Sequence, residues 1–377
     1  MIIEFNKPLY IGNEDEFVLD AMRSNKMSGD GKYGKLCEEW FERKLGNSKC
    51  MFTPSCTHAL EMTALLLDIK PNDEIIMPSY TFVSTANAFA LRGATIKFVD
   101  IWPETMNINE SLIEAAITSK TKAIVPVHYA GVGCNMKVIM KIAEKYQLTV
   151  IEDAAQGMMS TYMDKQLGSI GHLATYSFHE TKNFTSGGEG GLLIINDKKF
   201  IERAEIIREK GTNRNNFFRG LVDKYTWIDV GSSYLPSELQ AAYLWGQLQK
   251  TEEITIDRLE NWNIYKKGLI KLESSKKIEL PVVPLKCKHN GHIFFIKCAN
   301  LEERTKLMYY LKSKNINSVF HYVPLHSAPA GNILGSFVGD DRYTTHESER
   351  ILRLPLWYGI SKEKILRVIK EINEFYK

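Results

Sequence analysis

Residues 149–157 read TVIEDAAQG, an apolar, β-branched run that ends abruptly in two carboxylates. Such a run predicts a buried strand with polar groups at its carboxyl end. Side chains alternate along a strand, so Glu152 and Asp153 must face opposite ways, and one of them points into any crevice there. An Asp before Ala-Ala also suits a helix N-cap, which is the plainer reading of Asp153 taken alone. Twenty residues on, LATYSFH (173–179) predicts another strand, followed by ETKNFTSGGEGG (180–191) with its single lysine, Lys182.

The pattern extends in both directions. EIIMPSY (74–80), TIKFVDI (95–101) and AIVPVHY (123–129) are further short apolar runs. Helical patterns separate them: THALEMTALLLDI (57–69), TANAFALRG (85–93), ESLIEAAIT (110–118) and KVIMKIAEKY (137–146). Strand alternating with helix predicts parallel pairing through right-handed crossovers, an open α/β sheet. Ligands of such sheets sit beyond the carboxyl ends of the strands. Residues 1–30 read as irregular, ahead of a helix in KLCEEWFERKLG (35–46). The alternation stops near residue 200 with a helix that Gly211 ends, followed by a long aromatic and basic loop, GTNRNNFFRGLVDKYTW (211–227). Helices resume from Ser237 to about 273. The last hundred residues mix strands, HIFFIKC (292–298) and INSVFHYV (316–323), with helices at 303–314 and 362–377, which predicts a smaller α+β domain.

The bulk properties exclude several classes. The chain has 377 residues, 44% hydrophobic and 25% charged, enough for a large core. A net charge of +3 without a basic block disfavours a nucleic-acid partner. No apolar run approaches a membrane span, and the start lacks a signal-peptide plan, so a cytoplasmic protein is expected. The six cysteines show no CxxC spacing, so neither a metal site nor a thiol redox pair is expected, and the thiols should be free. No GxGxxG follows a first strand, which disfavours a dinucleotide-binding dehydrogenase.

A carboxylate beyond one strand and a lysine beyond a later one can face one ligand. That pair suits pyridoxal 5'-phosphate: lysine joins the cofactor's carbonyl carbon and an aspartate partners its ring nitrogen. TPSCTHALEM (53–62) places small hydroxyl residues directly before a helix, where backbone N–H groups bind anions. Ser55 and Thr57 are equally good N-caps. Ser177 would add a hydroxyl. In SYTFVSTANA (79–88), Tyr80 or Phe82 could lie on the ring, or Phe82 could belong to the core.

PSYTFVSTANA (78–88), PVHYAG (126–131), VIEDAAQ (150–156) and SFHETKN (177–183), in this order, resemble the DegT/DnrJ/EryC1/StrS sugar-nucleotide aminotransferases over nearly the whole chain. The resemblance implies an α/β, aspartate aminotransferase-like fold (PLP fold type I). A large cofactor domain would span residues 1–250 and a smaller C-terminal α+β domain 251–377. It also implies a homodimer with shared active sites. By motif, Lys182 is the Schiff-base lysine, Asp153 faces the ring nitrogen, Gln156 sits by the ring hydroxyl and Phe82 stacks. Cys56, Thr57 and Ser177 fall at phosphate-contacting positions.

The chain departs from the family pattern in two places. Cys56-Thr57 stands where Gly-Thr is frequent. GSSYLPSE (231–238) puts Ser233 and Leu235 where many members carry Asn and Arg for the partner's phosphate. Ser233 or a basic residue of the 214–224 loop would then substitute.

GTNRNNFFRGLVDKYTW and SFHETKN are also similar to the branch that forms TDP-4-amino-4,6-dideoxygalactose, a sugar of enterobacterial common antigen. That implies transamination from L-glutamate to C4 of TDP-4-keto-6-deoxy-D-glucose. Arg214, Arg219 and Lys224 are candidates for the pyrophosphate, and Glu180, Tyr322 and His326 for the sugar. The alternatives are another nucleotide 4-ketosugar, UDP-linked or with a gluco product, or a non-catalytic PLP-binding regulator.

Overall fold

The computed structural model describes residues 2–46 and 48–377. Its centre is an eight-stranded sheet whose strands are β1 (Lys49–Thr53), β2 (Glu74–Pro78), β3 (Thr95–Val99), β4 (Thr121–Ile124), β5 (Thr149–Asp153), β8 (Leu173–Ser177), β9 (Gly191–Ile195) and β12 (Gly335–Phe337). Two-residue strands β6 (Thr161–Tyr162), β7 (Lys165–Gln166) and β10 (Cys287–Lys288) form a side ribbon. The order is β1-β9-β8-β5-β4-β2-β3-β12. Every neighbouring pair is parallel except the two that β9 makes, with β1 and β8. The five strands expected between residues 74 and 179 are all present. β1, β9 and β12 were not foreseen, because their runs are short or masked by glycine.

Strand alternation divides the sheet's side chains between two cores. Met51, Ile75, Met77, Ala123, Ile151 and Leu193 pack under the helices Cys56–Leu66, Val83–Ala90 and Ile201–Arg208. Phe52, Ala174, Tyr176 and Leu192 face the other way, toward Lys32–Leu45 and Glu238–Leu248. Ile76, Ile124 and Val150 do the same toward Met136–Tyr146. Residues 13–23, expected to be irregular, form a helix packed on Glu238–Leu248. Gly12 precedes it and no side chain caps it, so the usual start signal is missing.

A separate core lies beyond residue 250. Trp262, Tyr265 and Leu269 of the long helix Thr251–Ser274 meet Phe294 and Ile296 of β11 (Phe294–Lys297), Leu352 and Leu354 of β13 (Ile351–Leu354), and the helices Leu301–Ser313 and Lys362–Phe375. Ile3 from the amino-terminal segment joins this core. β12 leaves it and extends the central sheet alongside β3.

Two polar clamps bind this part to the sheet. Asp100, just after β3, accepts from the backbone N–H groups of Arg342, Tyr343 and Thr344. Buried Lys297 donates to the Pro103 carbonyl and pairs with Glu347 at 2.6 Å. The strand expected in 316–323 is reduced to one bridge, Val319 with Arg353. Beyond it the chain bends toward the sheet, where the Tyr80 hydroxyl donates to the His321 carbonyl.

Candidate active site

β1, β2, β5 and β8 all point their carboxyl ends toward one cavity of about 520 Å³, closed on the far side by residues near β11 and β13. It is lined by Cys56, Thr57, Phe82, Asp153, Gln156, Ser177, Lys182 and Tyr322, which gathers eight of the residues singled out in the sequence.

The end of β5 settles which carboxylate faces the cavity. Asp153 does, 5% exposed, with Oδ2 accepting from Thr85 Oγ1 at 2.7 Å and Oδ1 from the Ala155 N–H at 3.1 Å. Thr85 is steadied by Thr81 at 2.8 Å. Glu152 turns to the opposite face. It accepts from His128 Nε2 (2.8 Å) and from the N–H groups of Gly168 (2.9 Å), Ile170 (2.7 Å) and Gly171 (2.6 Å). His128 Nδ1 accepts from the Cys134 N–H, so the ring proton sits on Nε2. Burial alone would raise the Glu152 carboxyl, but these donors overcome it and hold it below the ordinary 4.5.

Lys182 lies in the turn after β8, partly buried. Burial lowers its ammonium below the ordinary 10.5 against the pull of the Asp153 carboxylate, and Arg353 lowers it further. Its free amine is therefore reached at lower pH than in an exposed lysine. The turn closes through Gly187 and Gly188, both at positive φ, and β9 starts at Gly191. A Cβ on Gly191 would stand 2.4 Å from the Cys56 nitrogen, so only glycine lets β9 run beneath the start of helix Cys56–Leu66.

Ser55 caps that helix, accepting from the His58 N–H at 3.2 Å. The Thr57 hydroxyl meets Ser84 at 2.8 Å, and Ser177 borders the same corner. Free N–H groups at a helix start, with hydroxyls around them, form an anion cradle. Burial pushes the Cys56 thiol up to about 12, with Asp153 adding to it, so burial outweighs the helix terminus and the sulfur stays protonated. The six cysteines form no disulfide. Gln156 accepts from the Ala130 N–H at 2.6 Å and donates to the Tyr322 hydroxyl at 3.3 Å. Phe82, 56% exposed, stands at the mouth with its ring 6.2 Å from that of Tyr322.

Six other sequence candidates do not line this cavity. Glu180 is exposed beside it, its carbonyl 3.5 Å from Asn6 Nδ2. His326 bonds Ser79 (2.7 Å) and Asp341 (3.1 Å) and packs on Phe337. Arg214 pairs with Glu209 at 3.2 Å and Arg219 grips both oxygens of Glu205 at 2.7 and 2.8 Å. Lys224 and Ser233 are exposed on the same side loop. Conversely, the cavity contains Arg353, His292, His321 and Thr85, none of them singled out in the sequence. They come from segments whose convergence only the fold reveals.

The model of the DegT/DnrJ/EryC1/StrS aminotransferase family matches residues 10–373. The chain belongs to that family. GDP-perosamine synthases of Escherichia coli O157:H7 and Caulobacter vibrioides are 31% and 32% identical to it. They align over 98% and 97% of this chain and 97% and 96% of their own. The Streptococcus pneumoniae protein Spr1654, solved in its PLP form, superposes with a TM-score of 0.91 at 25% identity over 100% of this chain and 98% of its own. The fold is the PLP-dependent sugar aminotransferase fold, and the chain is a pyridoxal phosphate-dependent aminotransferase. Among the described residues no helix is long and apolar enough to cross a membrane.

The Glu152 network carries a test. Glu152→Gln places an NH2 group against backbone donors, which should cost about 3 kcal/mol in urea unfolding at pH 7. Because the folded carboxyl lies below 4.5, wild-type stabilisation is complete above that pH and is lost as pH falls through the folded value. The gap between wild type and variant should therefore narrow as pH falls through the folded value; a gap that widens toward acid would contradict this account.

Proposed function

We propose that this aminotransferase moves an amino group from L-glutamate to C4 of a nucleotide-linked 4-keto-6-deoxyhexose. The carrying observation is that Lys182, Asp153 and the helix start at Cys56-Thr57 share one cavity. The residues fit pyridoxal phosphate: an amine of lowered pKa, a carboxylate fixed by two donors, and a cradle that Gly191 keeps open. When bound, the cofactor supplies a carbonyl carbon that accepts the amino group and a ring that takes up the electron pair released at the donor's α-carbon.

Each role falls to a residue of this chain. Asp153 would hold the ring nitrogen, and Thr85 with Ala155 keeps its oxygens aimed. Gln156 and Tyr322 would border the ring hydroxyl, and Phe82 would cover the ring face. The N–H groups of Cys56 and Thr57, with the Ser177 hydroxyl, would hold the phosphate. Lys182 would anchor the cofactor, take the proton from the donor's α-carbon and deliver one to C4 of the ketosugar. The face from which it delivers fixes the C4 configuration.

TDP-4-keto-6-deoxy-D-glucose, giving TDP-4-amino-4,6-dideoxy-D-galactose, is the reading supported by GTNRNNFFRGLVDKYTW and SFHETKN. A GDP-linked 4-ketosugar is the second reading, supported by the two GDP-perosamine synthases. We further infer a cytoplasmic homodimer. Phe218, Leu221, Tyr225 and Trp227 are 54–77% exposed on the 212–230 loop, an apolar surface suited to a second copy. Seated there, the loop would bring Arg214, Arg219, Lys224 and Ser233 to the other copy's cavity for phosphate.

L-Glutamate should bleach the visible absorbance band of the loaded enzyme, and Lys182→Ala should lack the band. TDP-4-keto-6-deoxyglucose should restore it at least about tenfold faster than the GDP-linked sugar. The reverse ranking would replace the TDP reading with the GDP one, and no band in the wild type would sink both. Sedimentation should give twice the 43.1 kDa chain mass, falling to one chain in Trp227→Glu; a monomeric wild type would refute the shared site.

A further inference from the structure

The residue after Lys182 spends its side chain on fixing a histidine. Asn183 is buried, and its Nδ2 donates to the Asn290 carbonyl at 3.0 Å. A carbonyl can only accept, so the amide is oriented and Asn183 Oδ1 faces His292 Nδ1 at 2.8 Å. His292 Nδ1 is therefore the donor. Burial lowers this imidazole well below 6.5, and the charges of Lys182, Arg258 and Arg353 lower it further, so it is neutral near pH 7. A neutral ring with its proton on Nδ1 keeps a lone pair on Nε2. His292 lines the same cavity as Lys182, and among the described residues its Nε2 has no hydrogen-bond partner.

The loop that carries His292 is pinned on every side. Asn290 Oδ1 accepts from the His292 N–H at 3.0 Å, and its Nδ2 donates to the Gln156 and Met158 carbonyls, both at 2.8 Å. Arg258 donates to the Gly291 and His292 carbonyls at 3.2 and 2.8 Å, and Trp262 Nε1 to that of Ile293 at 3.0 Å. One crosspiece thus ties the turn of Lys182 to the segment that follows Asp153. Lys182 Nζ, by contrast, makes no hydrogen bond or ion pair among the described residues. Its stem is flexible, so an amine that must take and deliver a proton needs an acceptor to aim it. Gln156 Oε1 is already used by the Ala130 N–H, and Asp153 by Thr85 and Ala155. A further carboxylate would favour the ammonium and hold back its proton. A neutral imidazole nitrogen directs the amine without adding charge.

We propose that His292 is a positioning residue for Lys182: its Nε2, kept as an acceptor by Asn183, receives a hydrogen bond from the lysine amine and aims the amine's own lone pair into the cavity. No proton passes to His292; the proton exchanged with substrate carbon stays with Lys182. This deepens the aminotransferase reading and rests on Lys182 as its proton carrier.

Neutron diffraction tests the geometry, on crystals of the protein exchanged into D2O with L-glutamate, where Lys182 has a free amine with or without bound cofactor. The expected map has a deuteron on His292 Nδ1, none on Nε2, and an N–D bond of Lys182 directed at Nε2. A deuteron on Nε2, or an Nε2 bonded to Arg353 instead, would overturn the proposal. His292→Leu and His292→Gln test the consequence. At saturating glutamate the Leu variant should bleach the visible band at least about tenfold more slowly, without needing more glutamate for half-maximal rate. Its slowing on α-deuterated glutamate should exceed that of wild type. Gln keeps a carbonyl acceptor and should restore most of the rate. Equal rates in Leu and wild type, or a defect confined to the glutamate requirement, would contradict the assignment. The neutron map of the wild type decides even if His292→Leu does not fold or no visible band forms, which separates failure of this inference from failure of the cofactor reading.

Discussion

The site depends on how β5 ends. Glu152 is locked on one face of the sheet by His128 and three backbone N–H groups, which ties the strand end to the 168–171 turn. With that residue fixed, alternation leaves Asp153 only one direction, into the cavity, where Thr85 and the Ala155 N–H hold its two oxygens. Two adjacent carboxylates thus divide the work. One is satisfied completely and serves stability; the other keeps acceptor capacity for a ligand.

Around that point, polar groups are satisfied where they support and left open where they serve. Lys297 and Glu347 are buried and paired, and Asp100 collects three N–H donors, so the C-terminal part is clamped to the sheet beside the cavity. Within the cavity, Lys182 is desolvated and Arg353 Nε is buried without a hydrogen-bond partner. Charges held away from water in this way cost stability.

Much of this was legible in the sequence, for reasons that differ by residue. Strands β2 to β5 and β8 are apolar runs bounded by breakers, so their pattern alone gives the parallel sheet and its ligand edge. Lys182 and Asp153 follow because each closes such a run. Arg353 does not follow. It sits within ILRL, an unremarkable strand some 170 positions from Lys182, and only the packing of β13 against β11 brings it to the cavity. The pairing within the side loop is another feature that only the fold reveals. Arg214 and Arg219 look like free cations in the sequence, yet Glu209 and Glu205 from the preceding helical region neutralise them within one chain. Gly191 is one of several glycines in its cluster, and its close approach to Cys56 becomes visible only when β9 lies beside β1.

The central claim is that Lys182, among 48 lysines and arginines, is the one that carries the cofactor. Borohydride reduction of the pyridoxal phosphate-loaded protein, followed by peptide mass spectrometry, tests it directly. The account predicts a single stoichiometric pyridoxyl phosphate adduct on Lys182, absent after L-glutamate is added before reduction. An adduct at another lysine, or none above background, would contradict it.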